Sequence, residues 1–314
     1  MGELRKDYIL DRWVIIAPAR GKRPHQLQSK EESRDKTCHF CPGNEDGTPA
    51  EIGRVEKDGR WALRWFPNKY PALAPEGQAE IRTDNRYYTF SASYGYHELI
   101  AESPDHHKQL WDLDPQDLVP LLNLYCRRIE ELMLLPSIQF VAVIKNHGLL
   151  AGTSIVHTHS QVFALNHIPA HVRENIEAFR KHSHCPYCDV ISREKDSYRH
   201  CFENAAWIAF TPYASRYNYE IWILPKAHAK NLSHATDLNG LADILHQILG
   251  RLKVLDCSYN YAILYSPIDD FHFRIEVTPR IATPGGFEMA TDEFINTVSP
   301  EDAAAFYRGE RGVE

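Results

Sequence analysis

The sequence predicts an α+β fold made of two similar units in tandem, each with mostly antiparallel strands and one long helix. Three observations predict it. A C-x-x-C pair occurs at Cys38 and again at Cys185. Apolar residues recur at helical spacing over 118–135 and again over 236–254, and a short apolar strand segment follows each stretch. Because these features have the same order in both halves, they are typical of an internal duplication.

The elements of the first half follow from local patterns of apolar, turn and cap residues. Runs rich in Trp, Val and Ile predict strands, proline and glycine predict their ends, and LDPQD is the start signal of the helix. The predicted elements are, in order, a strand within Asp11–Pro18, a tight turn at Cys38–Cys41, a strand in the segment RWALRWFP, two strands within Tyr87–Glu102 that meet near Tyr94, a helix over Leu118–Leu135 and a strand over Ile138–Lys145.

The second half repeats this order after a polar bridge near residues 166–184, and we predict domains of residues 1–175 and 176–314. In both halves a histidine lies eight positions after a glutamate and begins the pattern H-x-K-[QN]-L. The matched positions are Glu98 with Glu220, His106 with His228, His157 with His272, His159 with Arg274, Gln161 with Glu276, and the strand Ile138–Lys145 with the strand Tyr261–Tyr265.

Composition and charge bound the class of protein. The 314 residues are 43% hydrophobic and 25% charged, which is typical of a globular protein with enough apolar residues for real cores. No stretch approaches the roughly 18 consecutive apolar residues of a membrane helix. The segment MGELRKDYILDRW lacks a secretory pattern, so we expect a cytoplasmic protein with no membrane partner. A net charge of −7 without a basic stripe disfavours nucleic acid as a partner.

Each half supplies the ligands of a tetrahedral metal site. A C-x-x-C pair in a chain that is not exported favours metal over a disulfide. Two thiolates and two imidazoles satisfy zinc and leave no open position for water, so both sites are predicted to be structural. The repeat selects His106 over its neighbour His107. The predicted sets are Cys38, Cys41, His106 and His157 in the first half, and Cys185, Cys188, His228 and His272 in the second.

A redox pair, or two buried thiols, is the alternative reading of each C-x-x-C. A redox pair is expected near the start of a helix in a βαβ unit, and neither pair is predicted to lie there. We therefore expect two zinc sites, with iron as the alternative metal in the second, because a duplicated site is free to drift.

The segment H-x-H-x-Q places His157, His159 and Gln161 on one face of a strand, because side chains alternate along a strand. A solvent-exposed edge strand or two metal ligands are the alternative interpretations of this segment, and a satisfied core histidine is the alternative for His159. If His157 binds metal like its partner in the second half, His159 is left without a metal role, and its partner there is Arg274. A neutral imidazole is a nucleophile when an acceptor, usually a backbone carbonyl, fixes its tautomer. Gln161 can then donate to an oxygen that gains charge.

Two further features are candidates for binding phosphate. Arg20, Lys22 and Arg23 lie in the basic turn ARGKRP, and arginine pairs bidentately with phosphate oxygens. The N–H groups of the Gly-containing loop over 148–154 can form an anion-binding concavity. Either feature alone is also read as an ordinary solvated turn or loop.

Together these motifs carry a family resemblance. APARGKRP, CHFCPGNE, FPNKYPAL, ESPDHH, NHGLLAGTSIVHTHSQ, ILPKAH and GGFE run nearly end to end, and the set resembles the galactose-1-phosphate uridylyltransferase branch of the histidine-triad superfamily. The resemblance implies two tandem histidine-triad-like domains and a homodimer. It also implies double displacement, in which a histidine takes a nucleotidyl group from a nucleotide sugar and passes it to a second sugar phosphate. A structural zinc site in the first half fits the family.

By position, the resemblance makes His159 the covalent nucleophile and Gln161 its partner at the phosphoryl oxygen. The substrate-binding residues that it implies are Arg20 and Arg23 for phosphate, Phe66 and Asn68 for the nucleoside, Asn146, Gly152 and Ser154 for the phosphates, and Phe287 and Glu288 for the sugar of the second substrate, within the chain or across a dimer. Three features depart from the family pattern. Thr158 and Ser160 stand where it typically reads H-P-H-G-Q, the second C-x-x-C is present, and the tail from GGFE resembles relatives that phosphorolyse ADP-glucose.

The sequence therefore predicts a nucleotidyltransferase, with UDP-glucose–hexose-1-phosphate uridylyltransferase as the main interpretation. The alternative of the same class is an ADP-sugar phosphorylase, in which inorganic phosphate accepts the nucleotidyl group. A hydrolase is disfavoured because Gln161 is a poor proton shuttle for activating water. From a different class, the protein is a zinc-stabilised nucleotide-binding module without catalysis. The expected partners are a nucleotide sugar, a sugar 1-phosphate or phosphate, and a second copy of the chain.

Overall fold

A computed structural model describes residues 2–18 and 38–312, and these residues form an α+β fold, as predicted. The strands are β1 Glu3–Lys6, β2 Trp13–Ile16, β3 Gly53–Lys57, β4 Arg60–Pro67, β5 Arg82–Asp84, β6 Tyr88–Phe90, β7 Gly95–Ala101, β8 Phe140–His147, β9 His159–Leu165, β10 His200–Glu203, β11 Trp207–Phe210, β12 Ile221–Pro225, β13 Tyr259–Leu264, β14 Arg274–Pro279 and β15 Phe294–Asn296. The α-helices are α1 Pro115–Met133, α2 Ala170–Phe179, α3 Pro186–Glu194, α4 Leu238–Leu255, α5 Gly286–Thr291 and α6 Pro300–Tyr307.

One antiparallel sheet of ten strands spans both halves, in the order β10-β11-β12-β14-β13-β8-β9-β7-β4-β3. Read outward from the junction of β13 with β8, the two halves have the same strand order. This agreement supports the predicted duplication. The junction is a regular pairing in which Tyr259 lies opposite His147, and the predicted boundary between residues 175 and 176 falls inside α2.

The sheet register corrects one detail of the sequence repeat. In the first half Leu99 of β7 lies opposite Gln161 of β9. In the second half Trp222 of β12 lies opposite Glu276 of β14. The register therefore equates Leu99 with Trp222, whereas the sequence repeat equates Leu99 with Ile221. The match between the two glutamates of the repeat is wrong by one residue, because the loop from each strand to its metal-binding histidine differs in length.

Helices α1 and α4 cover one face of the large sheet. Each is amphipathic and buries a stripe of leucine and isoleucine, such as Leu118 and Leu121 of α1 and Leu245 of α4. The helices also contact each other, so a single hydrophobic cluster contains side chains of both halves. Burying each leucine stabilises the fold by about 1.5–3 kcal/mol. No helix in residues 2–18 and 38–312 is long and apolar enough to cross a membrane.

The position of α1 decides which face of β9 carries the candidate site. The Ser160 hydroxyl lies 2.5 Å from the Tyr125 hydroxyl of α1, so the face of β9 with Ser160 and Val162 is covered by this helix. Because side chains alternate along a strand, His159 and Gln161 project from the opposite face.

Two helices that the sequence did not predict lie in and just after the polar bridge. Helix α2 buries Val172 and Ile176, and α3 begins directly after Cys185, which is its N-cap. Both helices are short, with ten and nine residues, so each offers fewer than three turns over which an apolar period can be read. A small sheet of β1, β2 and β15 joins the two ends of the described chain, and α5 contacts β15.

Gly95 begins β7 at a φ of 154°, and a Cβ atom there would lie 2.1 Å from the Ala164 carbonyl oxygen of β9. We expect Gly95→Ala to lower the free energy of unfolding by about 1–3 kcal/mol, because a backbone atom must shift. The matched control is Gly250→Ala in α4, where the added Cβ meets open space. That change should stabilise by about 0.5–1 kcal/mol. Urea unfolding followed by tryptophan fluorescence measures both, and equal effects would contradict the steric argument.

Candidate active site and metal centres

The first predicted metal set is brought together. The ligand atoms of Cys38, Cys41, His106 and His157 all lie within 4.8 Å of one another. The Cys41 Sγ lies 3.4 Å from the His106 Nδ1 and 3.6 Å from the His157 Nδ1. Tetrahedral zinc, with bonds of about 2.3 Å to sulfur and about 2.0 Å to nitrogen, holds such atoms roughly 3.5–3.6 Å apart. The four side chains therefore fit a tetrahedral metal ion, and the choice of His106 agrees with this cluster.

The surroundings of this cluster favour a cation. The Nε2 of buried His157 lies 2.7 Å from the Ser103 carbonyl, to which it donates, so its Nδ1 lone pair faces the thiols. Burial and the neighbouring thiol of Cys38 raise the pKa of Cys41 to about 11. A bound divalent cation would offset this by stabilising the thiolates.

The second predicted set has the same arrangement with one difference. The ligand atoms of Cys185, Cys188, His228 and His272 also lie within 4.8 Å of one another. The His272 Nε2 lies 2.9 Å from the Pro225 carbonyl, as in the first cluster. Cys185 is the N-cap residue of helix α3, but this helix is not part of a βαβ unit, because the strands before and after it, β9 and β10, are not neighbours in the sheet. The metal interpretation of the pair is supported by its two histidines, whose Nδ1 atoms lie 3.6 Å from the Cys188 Sγ.

His159 begins β9 and is held in one tautomer. Its Nδ1 lies 2.8 Å from the His157 carbonyl oxygen. A carbonyl only accepts, so Nδ1 carries the proton and Nε2 carries the lone pair. Burial, with Lys145 as the next contribution, lowers the pKa of His159 to about 4, so the ring is neutral at pH 7. A neutral imidazole with a free Nε2 lone pair is the form that attacks an electrophile.

The carboxamide of Gln161 lies on the same face as His159. Its Oε1 lies 2.9 Å from the Nε2 of His97, a residue of β7 that the sequence did not single out. Asn68 also lies against His97, with its Nδ2 at 3.1 Å from the same Nε2. His97 thus joins two residues that the resemblance assigned to different parts of the substrate.

The loop between β8 and β9 contains the predicted anion site. Gly148 and Gly152 have φ values of 79° and 83°, which residues with a side chain rarely adopt. They flank a single 3₁₀ turn at Leu149–Ala151. Gly152 and Ser154 are exposed. However, the consecutive N–H groups of residues 151–153 donate to the carbonyls of Gly148 and Leu149 at 3.0–3.3 Å, so these three groups are engaged within the loop and do not face an anion.

Asn146, at the start of this loop, is oriented from the second half. Its Oδ1 accepts a hydrogen bond of 2.7 Å from the Nδ2 of Asn260. The Oδ1 of Asn260 in turn accepts from the Nε of Arg280 at 2.7 Å. A guanidinium only donates, so both carboxamides are fixed and the Asn146 oxygen is engaged. The Asn146 NH₂ group is the part that remains to bind an acceptor such as phosphate.

Behind the nucleophile lies a buried ion pair of Lys145 and Glu102, whose residues are 1% and 2% exposed. The Lys145 ammonium also donates to the Thr158 hydroxyl at 2.7 Å and to the His159 carbonyl at 3.0 Å. The hydroxyls of Thr158 and Ser160 donate to the Glu102 carboxylate. Burial alone would raise the pKa of Glu102, but Lys145 and these hydroxyls lower it, so it stays ionised. The two departures from H-P-H-G-Q are therefore both used in this network.

The second half has no equivalent nucleophile. Arg274, which replaces the histidine, is 1% exposed and lies 4.4 Å from the Trp222 ring and 4.8 Å from the Tyr187 ring. It also pairs with Glu276 at 2.7 Å. Arginine stays protonated in proteins, so this position is filled by a stacked cation and offers no lone pair.

The other predicted substrate residues lie away from His159 and Gln161, or outside the described residues. Phe66 is 1% exposed and packs edge-on against Phe40, so its ring is part of the core. Phe287 and Glu288 lie on α5 beside the small sheet, and the Glu288 carboxylate caps that helix. The basic turn with Arg20, Lys22 and Arg23 lies outside the described residues.

The sequence and the fold of this chain are similar to those of known proteins. The model of "Galactose-1-phosphate uridyl transferase, N-terminal domain" matches residues 2–169, more than half of the chain. The chain belongs to this uridylyltransferase family. A second model, a domain of unknown function, matches residues 101–305.

Two relatives within the family align over nearly the whole chain. The ADP-glucose phosphorylase of Arabidopsis thaliana is 34% identical over 98% of this chain and 92% of its own length. The galactose-1-phosphate uridylyltransferase of Thermotoga maritima is 26% identical over 97% of each. The crystal structure of an Arabidopsis ADP-glucose phosphorylase with bound ADP-glucose has a TM-score of 0.85 and 32% identity, and covers all of both chains. The protein is accordingly a nucleotidyltransferase with the family's α+β fold.

Lys145→Met tests the buried ion pair. We expect it to lower the free energy of unfolding by about 3–5 kcal/mol, because Glu102 is left as a buried charge without its partner. Adding Glu102→Gln should recover part of this loss. The matched control is Lys253→Met, which breaks an exposed pair with Asp112 and should cost less than about 1 kcal/mol. Urea unfolding compares the three variants, and similar losses for Lys145→Met and the control would show that burial of the pair is unimportant.

Proposed function

We propose that this nucleotidyltransferase transfers an adenylyl group from ADP-glucose to inorganic phosphate through a covalent nucleotidyl-His159. The observation that carries the chemistry is the tautomer of His159. Its Nδ1 donates to the His157 carbonyl, so Nε2 carries the lone pair, and no residue within 2–18 and 38–312 hydrogen-bonds to this Nε2. Identity to the Arabidopsis phosphorylase is higher than to the Thermotoga uridylyltransferase, which favours the alternative of the sequence analysis over its main interpretation.

The reaction proceeds in two balanced displacements. The His159 Nε2 attacks the α-phosphorus of ADP-glucose, so a P–N bond forms, the P–O bond breaks and glucose 1-phosphate leaves. An oxygen of inorganic phosphate then attacks the same phosphorus, the P–N bond breaks and ADP leaves. The ring is positively charged while it carries the nucleotidyl group, and the hydrogen bond from Nδ1 to the His157 carbonyl stabilises that charge.

The chain's other polar groups would bind the phosphates and the nucleoside. The NH₂ groups of Asn146 and Gln161 are suited to the α-phosphoryl oxygens, because the oxygen of each carboxamide is already engaged. The exposed Ser154 would add a donor from the loop. Gly152, whose N–H already donates to the Leu149 carbonyl at 3.0 Å, would allow the phosphates to approach the backbone closely, and Asn68 would contact the nucleoside. Phe66 would need to become exposed to share that role, and Arg20 and Arg23 remain assigned to phosphate by the resemblance.

A galactose-1-phosphate uridylyltransferase is the second candidate. It would use the same nucleophile and the same two displacements, with uridine in place of adenosine and a sugar phosphate in place of inorganic phosphate. The observation that favours it is the match of the family model and of the Thermotoga relative over nearly the whole chain. A non-catalytic nucleotide-binding module would lack the covalent intermediate altogether.

One labelling experiment separates these functions. The protein is incubated with ADP-glucose or UDP-glucose carrying labelled α-phosphate, and acid-labile label on the protein is counted. We expect label from ADP-glucose, released as ADP when inorganic phosphate is added. In His159→Gly the rate should fall by at least about 10³-fold, because the nucleophile is absent.

The control is His182→Gly, an exposed histidine outside the sheet, which should label like the unchanged protein. Faster labelling by UDP-glucose, discharged by galactose 1-phosphate, would establish the uridylyltransferase instead. Absence of label from either donor would refute both enzymatic proposals.

We further infer that both cysteine–histidine clusters hold zinc, with iron as the alternative in the second. Closed sets of two sulfur and two nitrogen ligands are those of structural zinc. The first site would anchor His157, whose carbonyl orients the nucleophile, so it would position the reacting ring without contacting the substrate.

Metal analysis of purified protein checks this inference. We expect two metal ions per chain in the unchanged protein, and one metal ion per chain in each of the variants Cys41→Ala and Cys188→Ala. Labelling should fall at least about tenfold in Cys41→Ala, because a misplaced nucleophile loses this much or more, and should change little in Cys188→Ala. Two metal ions retained in both variants, or equal labelling in both, would contradict the assigned ligands or the role of the first site.

We also infer that the protein acts as a homodimer of chains with tandem domains at residues 1–175 and 176–314. Phe287 and Glu288 lie beside the small sheet, and Phe287 is 42% exposed, as suits a residue that reaches the second substrate of a partner copy. Tyr87 and Tyr88 on the β5–β6 hairpin are also largely exposed and offer an apolar surface for association.

A further inference from the structure

The backbone N–H of Ala72 decides where the ring proton of His97 lies. The backbone N–H of Ala72 donates to the His97 Nδ1 at 3.2 Å. A backbone N–H cannot accept, so Nδ1 carries a lone pair. Burial lowers the pKa of His97, so the ring is neutral and its single proton is on Nε2.

This proton determines which way the Gln161 carboxamide faces. The His97 Nε2 lies 2.9 Å from the atom assigned as Oε1 of Gln161. Because Nε2 donates, the atom that it meets must be the oxygen, and the NH₂ group is turned away from His97. Within residues 2–18 and 38–312, no hydrogen bond from that NH₂ group is recorded. It remains available to the phosphoryl group that His159 would carry, two residues earlier on the same face.

The ring of His97 is itself fixed. It stacks on Phe163 with centroids 3.9 Å apart and planes 24° apart. The Nδ2 of Asn68 lies 3.1 Å from its Nε2 and 3.4 Å from its Nδ1. Because Nε2 carries the proton, the Asn68 NH₂ group can donate only to Nδ1, and its contact with Nε2 is not a hydrogen bond. The Asn68 backbone N–H also donates to the His97 carbonyl at 2.8 Å. Rotating the ring would break the Ala72 and Gln161 contacts together.

We propose that His97 is a positioning residue that holds the Gln161 carboxamide with its NH₂ group toward the transferred phosphoryl group, and joins this group to Asn68. The role of Gln161 at the phosphoryl group rests on the proposed function. A reversed carboxamide would present its oxygen to phosphoryl oxygens, and this repulsion would oppose transfer. The second half lacks the device, because its register places Glu220 and Glu276 at these two positions.

Three substitutions at His97 distinguish the role of its Nε2 from that of its Nδ1. His97→Gln keeps a donor near the position of Nε2, whereas His97→Asn keeps only an acceptor near Nδ1 for Ala72. His97→Phe keeps an aromatic ring to stack on Phe163 and loses both hydrogen bonds. A purely structural role would rank the variants by packing and would give His97→Phe the mildest effect.

The rate of nucleotidyl-enzyme formation at saturating donor is the main readout. We expect it to fall about 10–100-fold in His97→Asn and His97→Phe, less than the full loss of a transition-state donor, and less than about fivefold in His97→Gln. In a Gln161→Ala background, His97→Asn should have no further effect, because the two residues act through one group. Metal content should be unchanged in all variants.

Two results would overturn the proposal. One is a rate in His97→Asn equal to that of the unchanged protein. The other is the same loss for His97→Asn in the Gln161→Ala background as in the unchanged one, which would mean that His97 acts independently of Gln161.

Nitrogen-15 NMR of the imidazoles gives a readout that needs no activity. We expect His97 to be the Nε2–H tautomer, with a proton shift that moves upfield in Gln161→Ala as the hydrogen bond is lost. An Nδ1–H tautomer would overturn the proposal even in an active enzyme. If the unchanged protein takes label from no donor, the proposed function fails, and the NMR result alone then decides whether His97 sets the Gln161 carboxamide.

Discussion

The buried ion pair of Lys145 and Glu102 fixes the strand that carries the nucleophile. Removing two charges from water costs several kcal/mol each, and their mutual attraction offsets this only when further hydrogen bonds complete the site. The hydroxyls of Thr158 and Ser160 supply those bonds on the helix-facing side of β9. The same ammonium binds the His159 carbonyl, so the backbone on which the reacting ring is mounted is tied to the core.

Both carboxamides near His159 are oriented by a group that can only donate. For Gln161 the chain of hydrogen bonds ends at the backbone N–H of Ala72, within the first half. For Asn146 it ends at the guanidinium of Arg280, in the second half. The second half therefore contributes to the phosphate loop although it has no nucleophile of its own, which agrees with a sheet that runs unbroken through both.

Local, repeated spacing made part of this site predictable. The C-x-x-C pairs and their histidines recur in the same order, so both metal sets and the fold class followed from the sequence. Lys145 and Glu102 lie 43 positions apart, and they come together because β8 and β7 pair with opposite edges of β9. Alternation in GYHELIA would place His97 on the same face of the sheet as Gln161 once the pairing of β7 with β9 is known. The sequence repeat did not supply that register, because it was wrong by one residue. Helix α2 was not predicted because it is only ten residues long, which gives fewer than three turns for an apolar period to be recognised.

In the second half, Arg274 occupies the position of the nucleophile, and this limits which substitutions the protein can accept there. Arg274 is enclosed by aromatic rings and paired with Glu276, so a lone Arg274→His replacement would strand a carboxylate and open a void where the guanidinium stacked. Each intermediate on the way back to a second reactive histidine is less stable than the present state. The difference between the two halves is therefore difficult to reverse, because the side chains that now pack around Arg274 disfavour a return to histidine.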